Sequence, residues 1–143
     1  MITAFDPAGG NRKELLRIST EPGAEYHWAP SPDGSQVAIL KTDWNTGEIR
    51  FIPFGGGQAR TVTVKGYVPL VSLDWAADSK SVFVGTVGPA GATVLRIDLE
   101  GNAQPIWQHP EPTTTWGIPS PDGRHLAMYG TSIDSNVWMI DNF

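Results

Sequence analysis

The sequence contains no cysteine. Disulfide staples and thiolate metal sites are therefore both excluded, while the redox compartment stays open, because a cysteine-free chain is compatible with any. No apolar run approaches the roughly 18 residues that a membrane-spanning helix requires, so no membrane insertion is expected. Basic residues are in the minority: 10 Lys and Arg against 15 Asp and Glu give a net charge of −5, with no basic block. Nucleic acid is not an expected partner, since binding its backbone needs a basic stripe that neutralises phosphates. The opening residues Met1-Ile2-Thr3-Ala4-Phe5-Asp6-Pro7 carry neither a basic n-region nor an apolar h-region, so no secretory signal is expected in the chain as given. Helical periodicity is missing too, because 12 Pro and 16 Gly in 143 residues interrupt every candidate segment. What remains is one expected domain, residues 1–143, of all-β class.

What the sequence does contain is a repeat. Pro30-Ser31-Pro32-Asp33-Gly34 recurs as Pro119-Ser120-Pro121-Asp122-Gly123, and Trp75-Ala76-Ala77-Asp78-Ser79 is a degenerate copy between them. The Asp residues are spaced by 45 and then 44 positions. After each Asp an apolar residue recurs at alternate positions: Val37 and Ile39, Val82 and Val84, Leu126 and Met128. Such alternation marks a half-buried strand, and the Pro-Asp-Gly chemistry ahead of it marks a hairpin turn. The structural turn residues are therefore Asp33, Gly34, Asp78, Asp122 and Gly123.

Each unit reads as four strands, a to d. In residues 21–65 they fall near Tyr26–Ala29, Gln36–Lys41, Glu48–Pro53 and Ala59–Val64. In residues 66–110 they fall near Val71–Trp75, Ser81–Thr86, Thr93–Leu99 and Ala103–Gln108. Residues 111–143 supply Thr114–Ile118, His125–Tyr129 and Asn136–Asp141 but no fourth strand. Residues 1–20 hold Ile2–Asp6 and Glu14–Ile18, which look like the c and d strands of a preceding or shared unit. A repeat of about 40 to 45 residues with four short strands fits a β-propeller blade, whereas a sandwich of immunoglobulin type would show no such internal copying.

The Ser-Pro-Asp-Gly turn followed by an apolar strand resembles the TolB-like propeller repeat, also described as WD40-like or PD-type. Ser120 to Tyr129, Ser135 to Ile140 and Asn142-Phe143 are similar to the C-terminal end of large acidobacterial proteins, in which such propellers follow a kinase or winged-helix regulator domain. The resemblance implies the C-terminal sensing or scaffolding part of a larger bacterial protein, and a periplasmic or extracytoplasmic place for it. One departure stands out. Family units often carry Trp three residues before the turn Asp, as Trp75 does, whereas Pro30 and Pro119 fill the other two copies.

Propellers close with roughly four to eight blades, and three fall short. The expected completion is a homodimer, a six-bladed ring in which Glu14–Ile18 of a second copy adds the missing strand d beside Asn136–Asp141.

Candidate chemistry is sparse. His27, His109 and His125 share no metal-ligand spacing and read as surface or strand-end histidines. No Gly-x-Ser-x-Gly elbow exists, and Asp33, Asp78 and Asp122, one per unit, are spaced apart rather than paired. Gly55-Gly56-Gly57 joins strands c and d and precedes no helix, so it reads as a hairpin and not a phosphate cradle. No catalytic residue, cofactor or metal is assigned. Trp75, Phe83, Trp107 and Trp138 are expected in the core. Trp44, Tyr67 and His109 lie in or beside connections at one end of the units and are the candidates for a partner-facing surface. The leading expectation is a non-enzymatic module that recognises a protein or small ligand. The alternatives are the propeller portion of a hydrolase or lyase, and an assembly remnant without a ligand.

Overall fold

The computed structural model describes residues 1–5, 14–111 and 114–131. These form twelve strands and no helix: β1 Ile2–Phe5, β2 Glu14–Ile18, β3 Tyr26–Pro30, β4 Gln36–Lys41, β5 Glu48–Pro53, β6 Arg60–Thr63, β7 Leu70–Trp75, β8 Ser81–Gly88, β9 Gly91–Asp98, β10 Ala103–His109, β11 Thr114–Pro119 and β12 Leu126–Thr131. All pairing is antiparallel between chain neighbours. The strands make four sheets: the N-terminal pair β1–β2, sheet I β3–β6, sheet II β7–β10, and the C-terminal pair β11–β12. The expected strand Asn136–Asp141, with Trp138, lies outside the described residues.

The three turns explain why the units resemble one another. In each, the residue two before the Asp donates its N–H to a carbonyl five residues on: Ser31 to Gln36 at 2.8 Å, Ala76 to Ser81 at 2.9 Å, Ser120 to His125 at 2.9 Å. The Asp Oδ1 accepts the N–H two residues ahead, from Ser35 at 3.0 Å, Lys80 at 3.0 Å and Arg124 at 3.1 Å. The residue after the Asp is left-handed in all three, Gly34 at φ 69°, Ser79 at 57° and Gly123 at 69°. The middle turn, which has neither the Pro nor the Gly, thus adopts the same geometry by holding a serine in the region glycine prefers.

Sheets I and II pack face to face through the main core, in which Leu40, Ile49, Phe51 and Val62 of the first meet Leu73, Trp75, Val84 and Leu95 of the second. Each such side chain contributes about 1.5–3 kcal/mol on burial. On its other face sheet I buries Val37, Ile39 and Ile52 against Leu16 and Ile18 of β2. The alternation after the first turn therefore predicts a half-buried strand too modestly, whereas β12 keeps the alternation, with Leu126 and Met128 partly buried and Ala127 and Tyr129 exposed. In β4 Val37, Ala38, Ile39 and Leu40 are all within 3 % of full burial, because a sheet lies on either side. Sheet II meets the C-terminal pair through smaller groups. Ser72 Oγ accepts from Gly85 N at 2.9 Å and donates to Thr115 O at 2.9 Å. The initial strands of successive sheets lie beside one another, β3 against β7 and β7 against β11. Among the described residues this is an open succession of sheets, not a closed ring.

Candidate functional site

The β4–β5 loop, 42–47, is built around Asp43, whose Oδ1 accepts the N–H groups of Asn45 at 2.7 Å and Thr46 at 3.3 Å. Those bonds, that from Asn45 foremost, hold the Asp43 carboxyl below its ordinary range. The tight turn pushes Trp44 outward, where it is 73 % exposed. Gly47 closes the loop against the β6–β7 connection, where a Cβ would lie 2.6 Å from the Tyr67 carbonyl oxygen. Val68, 40 % exposed, stands in that same connection.

The three sequence-predicted surface residues separate here. Trp44 stands exposed on its loop. Tyr67 is half-buried with its ring packed against the main core, so it supports the loop more than it presents a surface. His109 is exposed at the end of β10, stacked on Trp107 with ring centroids 5.8 Å apart, and its Nδ1 accepts the Glu111 N–H at 3.3 Å. The Trp44 and Tyr67 loops touch each other. His109 belongs to sheet II. Of the expected core aromatics, Trp75 is 2 % exposed. Phe83 and Trp107 are half-buried.

His27 departs from the surface reading. Its side chain is only 19 % exposed, with Nε2 3.4 Å from Glu25 Oε1 but outside hydrogen-bond geometry. Its ring meets Trp116 of β11 edge-on at 6.5 Å. Burial lowers its pKa, against an opposing pull from the Glu25 carboxylate. Thr42 Oγ1 is a second buried polar atom without a hydrogen-bond partner.

The turn aspartates are occupied by their own turns. Asp33 and Asp122 each accept from a serine hydroxyl at 2.6 Å, Ser31 and Ser120 respectively, and those bonds lower their pKa values first of all. Asp78 pairs with Arg96 at 3.5 Å and Asp122 with Arg124 at 2.8 Å. The cleft of about 580 Å³ between the second and third turns is thus lined by arginines that already have carboxylate partners. Among the described residues no group of three or more His, Asp or Glu is arranged to hold a metal ion. Nor do the described residues include a helix long and apolar enough to cross a membrane.

Among the exposed strand residues that sequence reasoning missed are Trp28 at 55 %, Trp116 at 39 %, Ile118 at 45 % and Tyr129 at 52 %. The repeat itself held the signal, because Trp28 sits one repeat before Leu73, which is 2 % exposed. No protein-family model matches the chain, and no curated protein matches it significantly.

Proposed function

We propose that this chain is a non-enzymatic recognition module of the TolB-like, WD40-like propeller kind, its sheets acting as blades and two copies completing a six-bladed ring. The observation that carries this reading is the threefold recurrence of one turn, with the same bonds at Ser31–Gln36, Ala76–Ser81 and Ser120–His125, each followed by a strand with apolar residues at the same two alternate positions, Val37 and Ile39, Val82 and Val84, Leu126 and Met128. A scaffold of repeated units leaves its loops free to vary, and binding concentrates there. Trp44 is the anchor for a protein or small-ligand partner: a large indole on a loop already fixed by Asp43 loses little entropy on contact.

The test is capture from a native extract with the wild-type protein and with Trp44→Ala, followed by titration of the purified captured species. An anchor of this type is worth about 2 kcal/mol or more, roughly a thirtyfold loss of affinity in the variant. Equal binding by both proteins rejects the assignment of Trp44. Turnover of hydrolase or lyase substrates that disappears in His27→Ala or His109→Ala rejects the non-enzymatic reading altogether.

A further inference from the structure

We propose that the face bearing Trp116, Ile118 and Tyr129 in one copy seats on the face bearing Trp28 in a second copy, an arrangement that presupposes the propeller reading. Within the chain, Ala29, Ala38 and Leu40 form the face of sheet I turned toward sheet II. Ala38 and Leu40 there are 0 % and 1 % exposed. Two repeats further on, the same positions of the C-terminal pair are Ile118, Ala127 and Tyr129, with Trp116 in the place of His27. They are apolar and aromatic, yet Ile118 is 45 % and Tyr129 52 % exposed. The C-terminal pair carries a face that is covered wherever another sheet follows it.

The receiving face repeats in the same way. Sheet II meets sheet I with Leu73 and Trp75, both 2 % exposed. One repeat earlier these positions are Trp28 and Pro30, with Trp28 55 % exposed. The N-terminal pair already covers the neighbouring part of that face, with Leu16 and Ile18 on Val37, Ile39, Ile52 and Tyr26. Trp28 is therefore the uncovered continuation of an interface the chain has begun. A second copy supplies the sheet that fits it, since its own open face has the repeat phase that sheet I uses against sheet II.

The contact is head to tail, so it forms a closed ring only for a particular number of copies. The described residues of each copy make two four-stranded and two two-stranded sheets, three blades' worth of strands. Two copies fall within the roughly four to eight blades that close, whereas one copy or three copies do not. The aromatic residues at the contact are the types that dominate interface energetics.

Mass by light scattering at micromolar concentration tests this directly. The wild type is expected at twice the 15.5 kDa of one chain. Trp116→Glu and Trp28→Glu, both at exposed positions, are each expected at the monomer mass with an unchanged circular dichroism spectrum, and Tyr129→Glu serves as an independent variant of the first face. An equal mixture of Trp116→Glu and Trp28→Glu regains the double mass, because one of its two junctions joins native faces. A monomeric wild type, a dimer that survives either substitution, or a mixture that stays monomeric overturns the proposal. The propeller reading is separated by bridging Pro32→Cys to Ser79→Cys in one chain with a short bis-maleimide. That bridge reports neighbouring turns and forms in monomer and dimer alike.

Discussion

Trp75 donates its indole N–H to the Ala29 carbonyl oxygen at 2.8 Å, joining sheet II to sheet I across 46 residues of sequence. The same indole meets Phe51 edge-on, ring centroids 5.6 Å apart, so one side chain supplies a polar tie and an aromatic contact in the main core. The Trp75→Phe variant leaves the Ala29 carbonyl without that donor and shrinks the packed volume. A loss of about 2–4 kcal/mol is expected in urea unfolding, combining the lost hydrogen bond with a cavity. Stability within 0.5 kcal/mol of wild type, on the order of an innocuous surface change, would contradict the role of this bond.

The contact between sheet II and the C-terminal pair depends on small residues. A Cβ at Gly85 would lie 2.2 Å from the Thr115 oxygen and 2.5 Å from Ser72 Oγ. Gly85→Ala is expected to cost about 1–3 kcal/mol by overpacking, and Ser72→Ala about 1–3 kcal/mol by stranding the Gly85 N–H and Thr115 carbonyl. Hydrogen exchange localises the effect: the amides of β11 and β12 lose protection before those of sheet I. Uniform loss across both sheets would show that the pair does not dock through this point.

Ser79 combines a left-handed backbone with a hydroxyl that accepts the Asp33 N–H at 3.1 Å. The two contributions separate by substitution. Ser79→Ala loses the bond and keeps the strain, whereas Ser79→Gly loses the bond and relieves it. Ser79→Gly is therefore expected to be more stable than Ser79→Ala by about 1 kcal/mol. The reverse order in thermal unfolding would refute the left-handed turn.

Acid sensitivity is expected in two windows. Burial lowers the His27 pKa from the ordinary 6.5, so the unfolded chain takes up a proton first as pH falls below that value. Stability conferred by neutral His27 is complete above 6.5 and declines from there down to its lowered folded value. His27→Phe abolishes that decline. Asp33 and Asp122 are lowered from 3.8, so their contribution is present above that value and lost as pH drops through their folded values. Ser31→Ala and Ser120→Ala flatten this second window by removing the largest cause of each shift. Unfolding curves from pH 8 to pH 2 check both, and an unchanged slope just below 6.5 in His27→Phe would be the contrary result.

The strands were largely legible in advance because a turn with its own side-chain bonds punctuates each unit. Ser31, Asp33 and Gly34 act within a few residues, so their effect is readable without tertiary knowledge. The exposed state of Trp44 was readable for the same reason, since a loop fixed by Asp43 leaves the indole no core to enter. Tyr67 was not, because what covers it is the main core formed with another sheet.

By itself, then, the sequence determined the order and type of the strands, their antiparallel neighbours and the recurrence of one turn, all consequences of local backbone chemistry and short-range alternation. Only the tertiary structure decided that β4 is buried on both faces, that His27 is withdrawn from solvent beside Trp116, and that Trp28, Ile118 and Tyr129 stand uncovered. Burial is a property of what lies on the other side of a face. Residues distant along the chain supply it, as Leu16 and Ile18 do for Ile39 and Trp75 does for Ala29.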